Sequence, residues 1–175
     1  MGQTIHLCEG DSLQEFWVIP SDSASSMQWN FIVGGGAQFV GPQNTSQITI
    51  DFPLPGNYVL QFSETDSYGC KGEVTLDIVV HSSPSSSFSY EELCVGQPIN
   101  FQNTTQSSST LEYVQWDING IVDTTYDIVR TFMHEGSYPI SLYVKDEWGC
   151  ASVYSEVLEL NTNPKSDFYF NPSNP

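Results

Sequence analysis

The sequence is short of cations. Only 4 Lys and Arg stand against 21 Asp and Glu in 175 residues, a formal net charge of −17. A surface this acidic excludes nucleic acid and anionic membranes as partners, because binding phosphates requires cations that displace counterions. Long apolar runs are also missing: no stretch approaches the twenty residues needed to span a bilayer as a helix, so membrane insertion is not expected. The start, MGQTIHLC, has neither the basic nor the hydrophobic region of a signal peptide. There is no C-x-x-C pair, which argues against a zinc knuckle. Gly-x-Ser-x-Gly, His-Glu-x-x-His and phosphate-loop patterns are absent as well, and His6, His81 and His134 fall in unrelated contexts. No catalytic residues are assigned.

Apolar residues make up 39% of the chain and aromatics 13%, enough to build cores. The chain repeats itself. DSYGC at 66–70 returns as DEWGC at 146–150, eighty positions later. LCEGDSLQEF (7–16) corresponds to LCVGQPINF (93–101), MQWNF (27–31) to VQWDI (114–118), and PGNYVLQFSETDSYGC (55–70) to EGSYPISLYVKDEWGC (135–150). The offset drops from 86 or 87 in the first half to 80 in the second, so the copies differ in the length of a connecting loop. Such a recurrence marks a duplicated structural unit. The repeat sets units at 1–82, lacking its first strand, and 83–162, with 163–175 opening a third copy (NPKSDFYFNP echoing SPSSSFSYEE). The Ser-rich run at 83–87 reads as a short semi-rigid joint.

Within each unit the apolar period is two. Tyr58, Leu60 and Phe62 alternate with Val59 and Gln61; Val114, Trp116 and Ile118, and Val74, Leu76, Ile78 and Val80, behave likewise. Turn residues recur every 8–12 positions and no 3.6-residue stripe is sustained. This is the pattern of an all-β fold, here two tandem antiparallel sandwiches.

The cysteines alternate with the repeat, Cys8 and Cys94 near the start of each unit and Cys70 and Cys150 near its end. Pairing within units, Cys8 with Cys70 and Cys94 with Cys150, would close loops of about 60 residues and restrict the unfolded chain by about 4 kcal/mol each. Such bridges need an oxidising compartment. The alternative is four free buried thiols.

Taken in order, the W-N-F or W-D-I-N-G segment, the G-x-Y segment and the D-x-x-G-C segment resemble PKD domains, a branch of the immunoglobulin-like sandwiches. They are most similar to the cysteine-bearing repeats of the giant surface adhesins of gliding bacteria, which the type IX system secretes. Trp29 and Trp116 match the family's strand-C tryptophan, and Tyr58 and Tyr138 its tyrosine after Gly; all four are expected in the core. Ile32-Val33-Gly34-Gly35-Gly36 and Asn119-Gly120 depart from the family's Gly-Asp-Gly turn.

The resemblance implies a non-catalytic, extracellular segment at the outer surface of a bacterium. Its expected partners are neighbouring repeats of the same chain, with surface polysaccharide or other cell-surface proteins beyond them, and the chain itself is expected to be a monomer. No cofactor is required. Calcium is the one candidate, with Glu64, Asp66, Asp146 and Glu147 beside the cysteine turns and Asp117, Asn119 and Asp123 in DINGIVD as oxygen donors; solvated loop carboxylates are the competing reading. A second function, carbohydrate binding as an accessory module of a secreted polysaccharide-degrading enzyme, rests on aromatics outside the alternation: Trp17, Tyr68, Tyr143 and Trp148. Tyr68 and Trp148, in equivalent positions before Gly-Cys, are the candidate sugar-stacking pair, with packing against the turn as the alternative.

Overall fold

The computed structural model describes residues 3–11, 13–91, 94–162, 164 and 167. Among them there is no helix; the chain is all-β, in two compact units. The proposed opening of a third repeat, 163–175, lies outside the described residues except for Pro164 and Asp167.

Among the described residues, unit 1 contains 3–11 and 13–85, together with 106–113 and 144–152, two segments that the repeat alignment places in the second copy. Its strands are β1 (Thr4–Cys8), β2 (Gln14–Trp17), β3 (Ser26–Val33), β4 (Gln38–Phe39), β5 (Gln47–Asp51), β6 (Gly56–Thr65) and β7 (Lys71–His81). They form two sheets, ordered β1-β7-β6-β3 and β2-β5-β4. All pairings are antiparallel but one: β1 runs parallel to β7, with Cys8 opposite His81.

The period-two pattern explains what each sheet buries. In β6, Tyr58, Leu60 and Phe62 point inward while Val59, Gln61 and Ser63 between and after them are half-buried, in the alternation of a pleated strand. With Trp29, Ile48, Ile50, Phe52, Ile78 and Val80 they form the core of unit 1. The alternation weakens at the start of β7, where Val74 is exposed and Leu76 only half-buried.

Among the described residues, unit 2 contains 86–91, 94–105, 114–143 and 153–162. The remaining strands are β8 (Phe88–Ser89), β9 (Pro98–Asn103), β10 (Leu111–Ile118), β11 (Ile121–Asp123), β12 (Ile128–Thr131), β13 (Gly136–Asp146) and β14 (Ala151–Leu160), in the orders β12-β9-β8 and β11-β10-β13-β14. Ile99, Phe101, Trp116, Ile118, Ile128, Ile140, Leu142 and Leu158 are buried.

The repeated tryptophans and tyrosines have matching roles. Trp29 is buried and its indole N–H donates to the Thr45 carbonyl at 2.9 Å; Trp116 is buried and donates to the Thr125 carbonyl at 3.1 Å. The Tyr58 hydroxyl donates to the Leu54 carbonyl at 2.7 Å and the Tyr138 hydroxyl to the His134 carbonyl at 2.9 Å, each four residues back, in the manner of a tyrosine corner. Tyr58 is buried, whereas Tyr138 is half-buried.

Candidate functional site

The repeated Asp-x-aromatic-Gly-Cys segment folds as the same turn twice. In the first, Asp66 Oδ1 accepts from the amides of Tyr68 (2.9 Å) and Cys70 (2.8 Å), and the Asp66 amide donates to the Cys70 carbonyl (3.0 Å). In the second, Asp146 Oδ1 accepts from the amides of Trp148 (3.0 Å) and Cys150 (2.9 Å), and its own amide donates to the Cys150 carbonyl (2.9 Å). Gly69 and Gly149 both sit at φ +89°, where any side chain would be strained. The aspartate thus satisfies the amides that the reversal strips from the ladder, the usual use of Asp in a turn.

The cysteine-bearing segments at the start of each repeat also match. The Asp11 amide donates to the Cys8 carbonyl (3.1 Å) with Gly10 at φ +83°, and the Gln97 amide to the Cys94 carbonyl (3.2 Å) with Gly96 at φ +84°.

The disulfide pairing expected from the repeat is corrected by the structure. Cys8 bonds Cys150, with Cα atoms 5.4 Å apart and a sequence separation of 142, while Cys70 and Cys94 are free and exposed. The reason is the direction of β1. Running parallel to β7, it places Cys8 beside His81 at the last residue of that strand, whereas Cys70 precedes the first. Eleven residues of strand at about 3.3 Å each separate the two by about 35 Å, and a disulfide needs Cα atoms within about 7 Å.

Around the bridge, unit 1 assembles a small aromatic cluster. Nδ1 of His6 and Nε2 of His81 are 2.9 Å apart and share a hydrogen bond. The ring centroids of His6, His81 and Trp148 lie 5.1, 4.6 and 4.3 Å apart pairwise, with planes within 22° of one another. Three near-equal distances describe a triangle, not a column: the two imidazoles lie side by side, edge-linked, under the indole. Burial lowers the His81 pKa, the nearby His6 adds to this, and the carboxylates of Asp146 and Glu147 oppose it. Asp146 and Cys150 are fully buried, and the Ser109 hydroxyl donates to the second Asp146 oxygen at 2.6 Å. At the equivalent turn Tyr68 is 91% exposed. One aromatic of the candidate sugar-stacking pair therefore has a face covered by histidines, and the other stands open.

The candidate calcium ligands have protein partners. Glu64 accepts from the amide and hydroxyl of Ser21, Asp117 from the Gly120 amide, and Glu147 from the Thr110 amide. Asp123 accepts from the Thr125 amide and hydroxyl and pairs with Arg130 at 2.9 Å; these interactions, led by the Thr125 amide, lower its pKa to about 2. Asn119 holds a turn at φ +52°. Among the described residues, no three His, Cys, Asp or Glu side chains come together as a metal site would require.

A cleft of about 560 Å³ in unit 1 is bordered by Glu15, Trp17, Val18, Phe62, Val74 and Thr75; of these, the sequence had marked only Trp17, as an aromatic outside the alternation. Trp17 is 73% exposed. The available signal was Val74: an apolar residue in the alternation of a strand whose N-terminal half is not covered.

No family model matches the sequence, and no curated protein matches it. Solved structures similar to it include the PKD1 domain of Vibrio anguillarum Epp, at 18% identity over 47% of this chain and 99% of that one, with a TM-score of 0.44. The PKD1 domain of the Vibrio cholerae metalloprotease PrtV is 22% identical over 46% of this chain and 99% of that one, with a TM-score of 0.42. The fibronectin(III)-like modules of Clostridium thermocellum CbhA are 14% identical over 97% of this chain and 95% of that one, with a TM-score of 0.45.

Proposed function

We propose that this chain is a non-catalytic spacer segment of a large adhesin, extracellular and associated with the outer membrane of a bacterium. We place the parent protein in surface attachment or gliding, with export by type IX secretion. In this reading the chain's partners are neighbouring repeats, and any polysaccharide or surface-protein ligand is held elsewhere on the parent. No cofactor is needed.

The observation that carries the reading is the Cys8–Cys150 bridge, which joins cysteines separated by 142 positions of sequence. A segment under tension lengthens only through chain that lies outside closed loops. At about 3.5 Å per extended residue, the bridge withholds about 500 Å of extension. A disulfide of this kind also belongs to an oxidising compartment.

Single-molecule pulling from the two termini tests this. Full unfolding should release about 500 Å less chain in oxidising buffer than after reduction, and equal release in the two conditions would remove the load-limiting role.

Carbohydrate binding is the second reading, favoured by the cleft beside exposed Trp17. A glycan array with the oxidised chain should be blank. Sub-millimolar binding that is lost in Trp17→Ala or Trp148→Ala would replace the spacer by an accessory module of a polysaccharide-degrading enzyme.

A further inference from the structure

We propose that the Asp66–Cys70 turn is a docking plug for a second copy of this chain, seated against that copy's Cys94 turn and joined to it by a Cys70–Cys94 disulfide. The inference deepens the spacer reading and rests on it, since it supplies the means by which spacer units are linked covalently.

Unit 1 shows what such a contact looks like when occupied. The Cys8 turn receives the Asp146–Cys150 turn: the sulfurs are bonded, Asp146 and Cys150 are fully buried, and the aromatic of the turn lies over neighbouring rings. The chain carries each half of this contact twice. The Asp66–Cys70 turn reproduces the hydrogen bonds of the Asp146–Cys150 turn to within 0.1 Å and has the same glycine φ. The Cys94–Gln97 turn shares the backbone hydrogen bond and the glycine φ of the Cys8–Asp11 turn, though Gln97 replaces the Asp11 carboxylate that accepts from the Cys8 amide. One plug and one receiving turn are joined; the other plug and the other receiving turn have free, exposed cysteines. The open plug also presents Tyr68 at 91% exposure, where its counterpart Trp148 is 44% exposed and stacked.

Glu92 and Asn161 stand at the positions of His6 and His81 in the repeat. The second contact therefore consists of the two turns and the disulfide, without an imidazole pair.

The contact is heterologous, because the two faces that meet are different. Each copy that docks leaves one plug and one receiving turn free, so linkage extends head to tail. Chemically, the Cys70 and Cys94 thiols lose two protons and two electrons as the S–S bond forms. Oxidised glutathione accepts them through a mixed-disulfide intermediate and leaves as two glutathione thiols.

The test uses the full chain and two variants, Cys70→Ser and Cys94→Ser, in a glutathione redox buffer. Products are read on non-reducing gels and by mass spectrometry, with one variant isotopically labelled. Both cysteines are exposed, so serine should leave the fold and the Cys8–Cys150 bridge intact, which circular dichroism and peptide mapping verify. The unsubstituted chain should give a ladder of oligomers. Each variant alone should stay monomeric, and an equimolar mixture should give a dimer with one labelled-to-unlabelled Cys70–Cys94 link. Adding Tyr68→Ala to the Cys94→Ser partner should cut the dimer yield several-fold.

Homodimers from either variant at the mixture's yield would show unselective thiol pairing and overturn the proposal. So would a Cys70–Cys94 link within one chain, or a mixture that stays monomeric. None of these outcomes touches the pulling and glycan measurements, which judge the spacer reading separately.

Discussion

Gly34 follows β3 at φ +113°, and a Cβ built there would run into the ring of Tyr58. Tyr58 is itself fixed by the core of unit 1 and by its hydroxyl bond to Leu54, so it has little room to yield. Gly34→Ala should therefore combine backbone strain with overpacking and cost about 1–3 kcal/mol in urea denaturation. Gly35, with open space at its Cβ position, should accept alanine without loss. Histidine chemistry gives a second prediction at this scale. The His81 pKa is lowered in the fold, chiefly by burial and next by His6. The unfolded chain consequently binds the proton first as pH falls below about 6.5. Stability should be full above that value, fall as pH drops through it, and level off below the lowered folded pKa. Double protonation would also leave the His6–His81 hydrogen bond without an acceptor. Melting curves between pH 7 and 5 should show this slope, and His81→Gln should flatten it. An unchanged slope in the variant would assign the effect to other groups.

The strands were legible because a half-buried strand announces itself by alternation, and Tyr58-Leu60-Phe62 and Ile140-Leu142-Val144 do so without interruption. The duplicated turns were legible for the same kind of reason: Asp, Gly and Cys at fixed spacing each have a local task, and the structure shows those tasks twice. The disulfide was not legible. Equal spacing of the cysteines says nothing about which way a strand runs, and the parallel β1–β7 pairing, a long-range choice, moved Cys8 to the far end of β7 from Cys70. The cleft beside Trp17 was hidden because alternation in Val74-Leu76-Ile78-Val80 does not reveal where the opposing sheet stops. The turns themselves yield a prediction. Asp146 is fully buried and accepts from two amides and a hydroxyl, so Asp146→Ala should cost about 3 kcal/mol, the scale of stranding buried donors that had a charged acceptor. Asp66 makes the same two amide bonds at a half-buried site, where water can replace them, and Asp66→Ala should cost about 1 kcal/mol. Paired denaturation curves decide this, and equal losses would mean that burial of the turn contributes nothing.

At the scale of the whole molecule, one covalent bond and a large unbalanced charge act on the same chain. By the loop-entropy relation, closing 142 residues restricts the unfolded ensemble by about 5 kcal/mol. The double variant Cys8→Ser, Cys150→Ser should then melt about 10–20 °C lower by calorimetry, and an unmoved transition would deny the bridge any stabilising role. The charge works in the opposite sense. The net charge is −17 and there is one ion pair among the described residues, Asp123–Arg130, so the negative charge is largely uncompensated. Folding brings those charges closer together, so screening should favour the compact state. Raising NaCl from about 0.01 to 0.15 M shortens the screening length from about 30 to 8 Å, and the melting temperature should rise. Magnesium and calcium chloride then separate diffuse screening from a bound ion. Diffuse screening depends on valence alone, whereas a protein site with flexible oxygen donors selects calcium over the smaller, reluctantly dehydrated magnesium. Because Glu64, Asp66, Asp117, Asp123, Asp146 and Glu147 already accept hydrogen bonds from the protein, the two salts should shift the transition equally at equal concentration. A larger shift with calcium, abolished by neutralising one of these carboxylates, would instead locate a cation site at that turn.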